Sequence, residues 1–285
     1  MLPVHFRQLV LFGLIMLAVL CNISSAQTNP IQPGAAVVTA NDKGAHFFTK
    51  SGRPLEDIAY SLAGEHGWIL DYEDALYEDS SAFEDTATPQ GRAKNGGKGW
   101  LEAKSRTFDH QTSLPLEDSM NHAGDVLKQI VEHYNAGDPP DRFQVIQETS
   151  GRLSIVGIAG RDEHGVLIPR EPVLNFPVQL KPEKQSILTA LTSLTDQLTK
   201  LFGHSVVIGT APDNLLHMTI CVPPAGAQSA RYDLAAVLDQ APIKLAWELM
   251  YDRNMDFDVL NITEVGHYET DARGIKRPVP LRNPK

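Results

Sequence analysis

Cysteine is almost missing from this 285-residue chain: there are two, Cys21 and Cys221. Cys21 falls in an N-terminal leader, so the mature chain has no partner for Cys221. An exported domain without a disulfide must be held by its core. Cys221 sits in the apolar run Leu216–Val222, which is expected to be a strand that buries it as a small hydrophobe. Positive charge is also scarce. There are 25 Lys+Arg against 35 Asp+Glu, a formal net charge of −10, and loss of Arg7 with the leader makes it one unit more negative. Partners that recruit basic patches, nucleic acids and anionic membrane surfaces, are therefore disfavoured. Catalytic signatures are absent as well. There is no G-x-S-x-G, H-E-x-x-H, C-x-x-C, phosphate-loop glycine pattern, dinucleotide-binding glycine pattern or Ca-loop spacing. The ten histidines include no i, i+4 pair on a helix, and none reads as a metal ligand.

The only long apolar run is Leu9 to Cys21, which is shorter than the ~20 residues of a membrane span. His5 and Arg7 precede it, and Ser24 and Ala26 follow at signal-peptidase positions. Residues 1–26 read as a signal peptide cleaved after Ala26, leaving a periplasmic or secreted chain with no membrane span. A retained anchor and lipidation at Cys21 are the competing readings. Bulky Leu20 stands where a lipoprotein signal wants a small residue.

Past the leader, residues 27–44 are rich in Pro, Gly, Asn and Gln and read as a flexible linker. Two similar modules follow, at 45–170 and 171–265. Each runs strand, amphipathic helix, Gly, strand, helix, hairpin. In the first, Pro54 suits a first helical position, and Leu55, Ile58, Ala59, Leu62 and Ala63 keep the spacing of a helix buried on one face. Trp68-Ile69-Leu70 is the next strand. Val126, Leu127, Ile130, Val131 and Tyr134 mark the second helix, and Phe143–Gln147 with Leu153–Ile158 the hairpin. In the second module, Leu174–Leu180 alternates as a strand, with Pro177 placing it at an edge. Ile187, Leu191, Leu194, Leu198 and Leu201 form its first helix stripe. Val206–Ile208 follows as a strand, Ser229 caps the second helix, and Lys244–Tyr251 and Phe257–Ile262 close the hairpin. The first module carries an insertion within about 73–117. Residues 266–285 read as a disordered tail, or as a basic docking arm through Arg273, Lys276, Arg277, Arg282 and Lys285.

The fold class expected is therefore α+β: two tandem similar domains, each with two helices packed on small, mostly antiparallel sheets. The expected core is Phe47, Leu55, Ile58, Leu62, Trp68, Ile130, Leu191, Leu198, Val207, Ile220, Leu238, Trp247 and Val259.

Glu65-His66-Gly67-Trp68-Ile69-Leu70 after the first helix, and Phe202-Gly203-His204-Ser205-Val206-Val207 after its counterpart, resemble the "G-x-apolar-apolar" passage of the short N-terminal (STN-like) domains of bacterial secretins and TonB-dependent receptors. The resemblance covers most of 45–265 apart from the insertion. It implies periplasmic protein–protein contact and no catalytic residues. The chain also resembles exported bacterial proteins of the same two-part layout, for which no activity is implied. The large membrane β domain of secretins, and the plug and barrel of the receptors, do not follow here.

Three features compete as candidate sites. The acidic stretch 71–85 (Asp71, Glu73, Asp74, Glu78, Asp79, Glu84, Asp85), near His66, is expected to be a solvated loop, with acid–base chemistry or Ca²⁺ binding as the alternative. Trp68 and Trp247 lie among apolar neighbours and read as core, whereas Trp100, after Gly-Gly-Lys-Gly, is the candidate exposed aromatic. Asn261-Ile262-Thr263 matches a glycosylation sequon within a strand and is expected to be unmodified. The functional expectation is a non-enzymatic interaction or assembly module of the cell envelope. It would have an unidentified envelope protein partner, no cofactor, and binding through a sheet edge such as that beside Pro177 or through the insertion. The alternatives are an exported hydrolase or glycan-binding protein using residues 71–85 and Trp100, and a structural spacer between envelope layers.

Overall fold

The computed structural model describes residues 36–285 except 42, 95, 117–119, 149–150, 223–227, 271–275 and 284–285. The expected leader, its cleavage site after Ala26, Cys21 and residues 27–35 lie outside the described residues. The first half begins with β1 (Val37–Asn41), β2 (Gly44–Ser51), α1 (Pro54–His66) and β3 (Leu70–Glu73). It continues with β4 (Phe83–Asp85), α2 (Pro89–Lys94), β5 (Leu101–Ala103) and β6 (Arg106–Thr112). It closes with α3 (Met120–Ala136), β7 (Asp141–Gln147), β8 (Leu153–Arg161) and β9 (Leu167–Pro169). The second half opens with β10 (Pro177–Val178), β11 (Lys184–Ser186), α4 (Ile187–Phe202), β12 (Ser205–Ile208) and α5 (Asp213–Leu216). It ends with β13 (Thr219–Cys221), β14 (Gln228–Ser229), α6 (Ala230–Leu238), β15 (Leu245–Asp252) and β16 (Phe257–Glu264). A final hairpin, β17 (Gly266–Thr270) and β18 (Lys276–Pro280), follows.

α1, α3, α4 and α6 form where the sequence places them; the short α2 and α5 are additional, and α5 takes Leu216 out of the expected strand Leu216–Val222, of which Thr219–Cys221 is extended. Pro54 opens α1, and Gly67 and Gly203 end α1 and α4 in the left-handed conformation (φ 65° and 76°) that glycine adopts without a Cβ penalty. Ser186 and Ser229 cap α4 and α6 by accepting the Thr189 and Tyr232 N–H groups. No helix among the described residues is long and apolar enough to cross a membrane.

The α+β class holds, with mostly antiparallel pairing. The strands of both expected modules nevertheless meet in one seven-stranded sheet, in the order β12-β16-β15-β3-β8-β7 with β9 beside β8. Each half supplies three of these strands in the same arrangement. The strand after the first helix lies parallel to the last strand (β3 with β8, β12 with β16), and the last two form an antiparallel hairpin. The triplets join where β15 runs parallel to β3, with Leu249 level with Glu73. Tracing directions across the sheet, β12 and β16 run against β3 and β8, so one triplet is turned over relative to the other. Two cores follow. Leu70 and Tyr72 of β3 belong to one, with α1 and α3; Trp247 and Leu249 of β15 belong to the other, with α4 and α6. Since Asp71 and Glu73 alternate with Leu70 and Tyr72, they face the second core.

Several expectations need correction. The stretch 27–44 contains β1, which pairs with β2 through Val37–Phe48 and Asn41–Gly44. The insertion supplies β6, which pairs along the whole of β2, because its alternating Phe108 and Thr112 complete the first core face. The tail 266–285 forms the β17–β18 hairpin, and Leu281 beyond it packs with Ile69, Ala246 and Val265. Leu174–Leu180 is a 3-10 turn followed by the two-residue β10 rather than a continuous strand. Cys221 is exposed, because β13 turns Ile220 inward and Cys221 outward. Of the expected core, Val207 and Val259 are half-buried. They pair with each other on the face opposite Val206 and Leu260, where α4 and α6 do not reach.

Single residues at several sheet edges are clamped by side chains. Asn135 of α3 bonds both backbone groups of Phe143 on β7 (3.1 and 2.7 Å), and Thr199 of α4 does the same for Val206 on β12 (2.9 and 3.4 Å). Ser61 closes on Ala36, Gln197 on Gln179, and Asn254 on Leu101 in the same way. Beside Pro177, β10 pairs with β14 on one side and the neighbouring Gln179 is clamped by Gln197. Unpaired edge groups template strand addition, and these clamps occupy them. Replacing both Asn135 and Thr199 by alanine should raise the concentration-dependent mass above that of the parent in sedimentation equilibrium. An unchanged mass at every concentration would show that the clamps only stabilise the fold.

Candidate functional site: a charged seam between the halves

The expected solvated loop is in fact the joint of the molecule. Asp71 and Glu73 are buried, at 0% and 1% exposure, whereas the later acids Glu78, Glu84 and Asp85 are exposed and Asp79, which caps the turn at Ser81, is partly so. The cause is the turned-over packing. Asp71 and Glu73 lie on the β3 face that their own helices leave open, and α6 of the second half covers it. Burying a carboxylate requires a counter-charge and hydrogen bonds; Glu73 finds its arginine across the seam, whereas Asp71 pairs with Arg152 of its own half, which reaches across to Asp239.

Glu73 accepts a charged hydrogen bond from Arg231 of α6 at 2.5 Å and another from the Leu174 N–H at 3.0 Å. Asp71 accepts the Trp247 N–H of β15 at 3.0 Å and Arg152 Nη1 at 3.2 Å. Arg152 is fully buried and also donates to Asp239, at the end of α6, at 2.6 Å. Arg231 lies over the Trp247 ring, 5.4 Å from its centroid. Burial pushes Asp71 up to about 6 although Arg152 and the Trp247 N–H favour its charged form, and burial raises Glu73 against the pull of Arg231.

The opposite face carries a mirror arrangement. Glu248 of β15, half-buried, lies on the face left open by its own helices, close enough to Glu56 of α1 for their charges to interact. Asp74, just past β3, accepts Arg53 Nε at 2.9 Å, the Tyr72 hydroxyl at 2.8 Å and the Tyr251 N–H at 3.3 Å. Arg53 also donates to the Tyr251 carbonyl at 3.1 Å. Glu56 is less well served, with Arg53 at 3.9 Å. Burial pushes it up to about 8 despite Arg53, with Glu248 adding to the rise. Burial and the neighbouring Asp74 raise Glu248 as well.

The structure therefore gathers Asp71, Glu73 and Asp74, but as struts between halves. His66 lies against Trp68, with ring centroids 5.2 Å apart, and enters none of these contacts. No group of three or more metal-ligating side chains occurs among the described residues. Sequence reasoning misses Arg152, Arg231, Glu56 and Glu248. The one hint is charge at buried helix positions: Arg231 and Asp233 interrupt the α6 stripe.

Trp100 is half-buried at the other end of the insertion. Asp85 organises it, accepting the Trp100 and Ala87 N–H groups at 3.1 and 3.0 Å and pairing with Arg92 at 2.6 Å. Those backbone hydrogen bonds hold the Asp85 carboxyl below its usual range. The insertion is docked rather than free: Arg253 lies over Phe83 at 4.5 Å, and Arg170 pairs with Glu78 at 2.6 Å.

The Glu56 carboxyl sets a pH dependence. In the unfolded chain it titrates near 4.5, and in the fold near 8. Below about 4.5 it is protonated in both states. Between 4.5 and 8 the unfolded state loses its proton first, so stability falls as pH rises. At about 1.4 kcal/mol for each pH unit between those two values, the whole swing is on the order of 5 kcal/mol. Glu56→Gln should be close to neutral near pH 5 and stabilising by several kcal/mol near pH 8 in urea unfolding. A difference from the parent that does not change with pH would contradict this. No protein-family model matches the chain, and no curated protein or solved structure matches it either.

Proposed function

We propose that this is a non-enzymatic interaction module of the bacterial cell envelope, exported by the leader and working by protein–protein contact. The observation that carries this reading is the fate of the acidic run. Its three buried members are spent on arginines and backbone N–H groups of the seam, which leaves no convergent acid–base pair in an open cleft. The hydrolase alternative drew on residues 71–85 and Trp100, and the buried members of that run are committed to the seam.

A face of the smaller sheet is the surface we favour for docking. The three-stranded sheet β1-β2-β6 buries Phe47 and Ala45 on the first core and turns its other face outward. There Phe48 and Val37 pair across strands at 39% and 58% exposure, flanked by Lys50 and the His46–Asp109 pair at 2.8 Å. An exposed apolar pair within a polar rim is the pattern of a contact surface.

A photo-crosslinking residue in place of Phe48, in cells of the native host, should yield a reproducible adduct with an envelope protein, identified by mass spectrometry. The same residue in place of the exposed Lys200 on α4 should not. Absence of any Phe48 adduct, or equal capture from both positions, would sink the proposed face.

A further inference from the structure

We infer that the cleft beside Trp100 is a saccharide-binding subsite, a second site independent of the protein-contact face proposed above. Trp68 and Trp247 are 2% and 0% exposed and belong to the two cores. Trp100 belongs to no core cluster. It lines an open cleft of about 410 Å³ with Thr86, Lys98 and Glu102. The ring is partly exposed, in a β4–β5 segment that supplies no residue to either core, and so offers an aromatic surface to a ligand.

The surrounding structure fixes the backbone that carries that ring. The Trp100 N–H is fixed by Asp85, its carbonyl accepts the Thr86 N–H at 2.8 Å, and the next residue is clamped by Asn254 at both backbone groups. A Cβ on Gly99 would meet the Asp85 carboxylate at 2.1 Å, so glycine there is what lets Asp85 reach the Trp100 amide. Preorganisation of this kind lowers the entropy cost of binding.

The chemistry of the rim selects the ligand. Glu84 and Glu102 pair directly across β4 and β5, and strand alternation puts Thr86 and Trp100 on the same face. None of Glu84, Glu102 and Lys98 forms an ion pair among the described residues. A pyranose offers an apolar C–H face to stack on indole and a rim of hydroxyls that both donate and accept. Carboxylates, a hydroxyl and an ammonium around one ring match that mixture. A cationic peptide would be drawn by the glutamates but repelled by Lys98. The openness of the cleft suits an extended sugar chain rather than an enclosed small molecule.

Because Trp68 and Trp247 are shielded, acrylamide quenching of tryptophan emission reports on Trp100. The mature protein would be titrated with chitotetraose, cellotetraose and maltotetraose, and with tetralysine. At least one saccharide should give a saturable blue shift with protection from acrylamide, lost in Trp100→Ala and weakened about tenfold in Glu102→Gln, which keeps the ring and its scaffold. Near-UV circular dichroism checks that the cores of both variants are intact; if Trp100→Ala unfolds, Glu102→Gln decides. No response to any of the three saccharides at millimolar concentration, a response that Glu102→Gln leaves unchanged, or a response to tetralysine alone would overturn the assignment. Phe48 lies on a different sheet, so this outcome and that of the crosslinking experiment are read separately.

Discussion

Everything in this structure depends on how β3 and β15 are allowed to touch. They are the adjoining edge strands of two triplets turned over with respect to each other, so each is covered on its open face by a helix of the other half. Those faces carry Asp71, Glu73 and Glu248. Charges that would be solvated in an isolated half become buried in the whole, and the arginines follow from that. Arg152 and Arg231 supply the counter-charge on one face and Arg53 on the other. Breaking one partner of such a buried pair typically costs about 3–5 kcal/mol, while replacing both by apolar groups costs far less. The ion pairs therefore specify the alignment of the halves more than they add to net stability.

This arrangement also accounts for the allocation of function. A carboxylate committed to a buried arginine is a poor general acid or base for a substrate it cannot reach. The surfaces proposed for binding lie elsewhere, on the outer face of the β1-β2-β6 sheet and in the tryptophan cleft of the insertion. The insertion itself is fastened to the second half through Asn254 and Arg253. Both halves thus position the surface that the first half displays.

Much of the fold was legible in the sequence. The stripes of α1, α3 and α4, the glycine stops at Gly67 and Gly203 and the two hairpins are local signals, and their elements form where the spacing puts them, although Leu201, in the last turn of α4, is turned out to solvent at 53% exposure. Contacts between distant segments were not legible. Asp71 and Glu73 alternate with Leu70 and Tyr72 as in any half-solvated strand, and nothing within β3 says that α6 will lie over them. Cys221 and Val259 failed for the same reason: which face of a strand is covered depends on elements far along the chain. The candidate site was half legible. Trp100 stood out as an aromatic without apolar neighbours, whereas its organiser Asp85 was merged into a run of acids whose members have different fates.

The central claim is that the buried charges of the seam make the two halves one cooperative unit. Trp68 and Trp247 report on the two cores separately. In a Trp100→Phe background, variants retaining only one of the two tryptophans would be unfolded in urea and followed by fluorescence. The account predicts one midpoint for both probes, and two separated midpoints once Arg152 and Arg231 are both replaced by methionine. Distinct midpoints with the seam intact, or coincident midpoints after its removal, would contradict it.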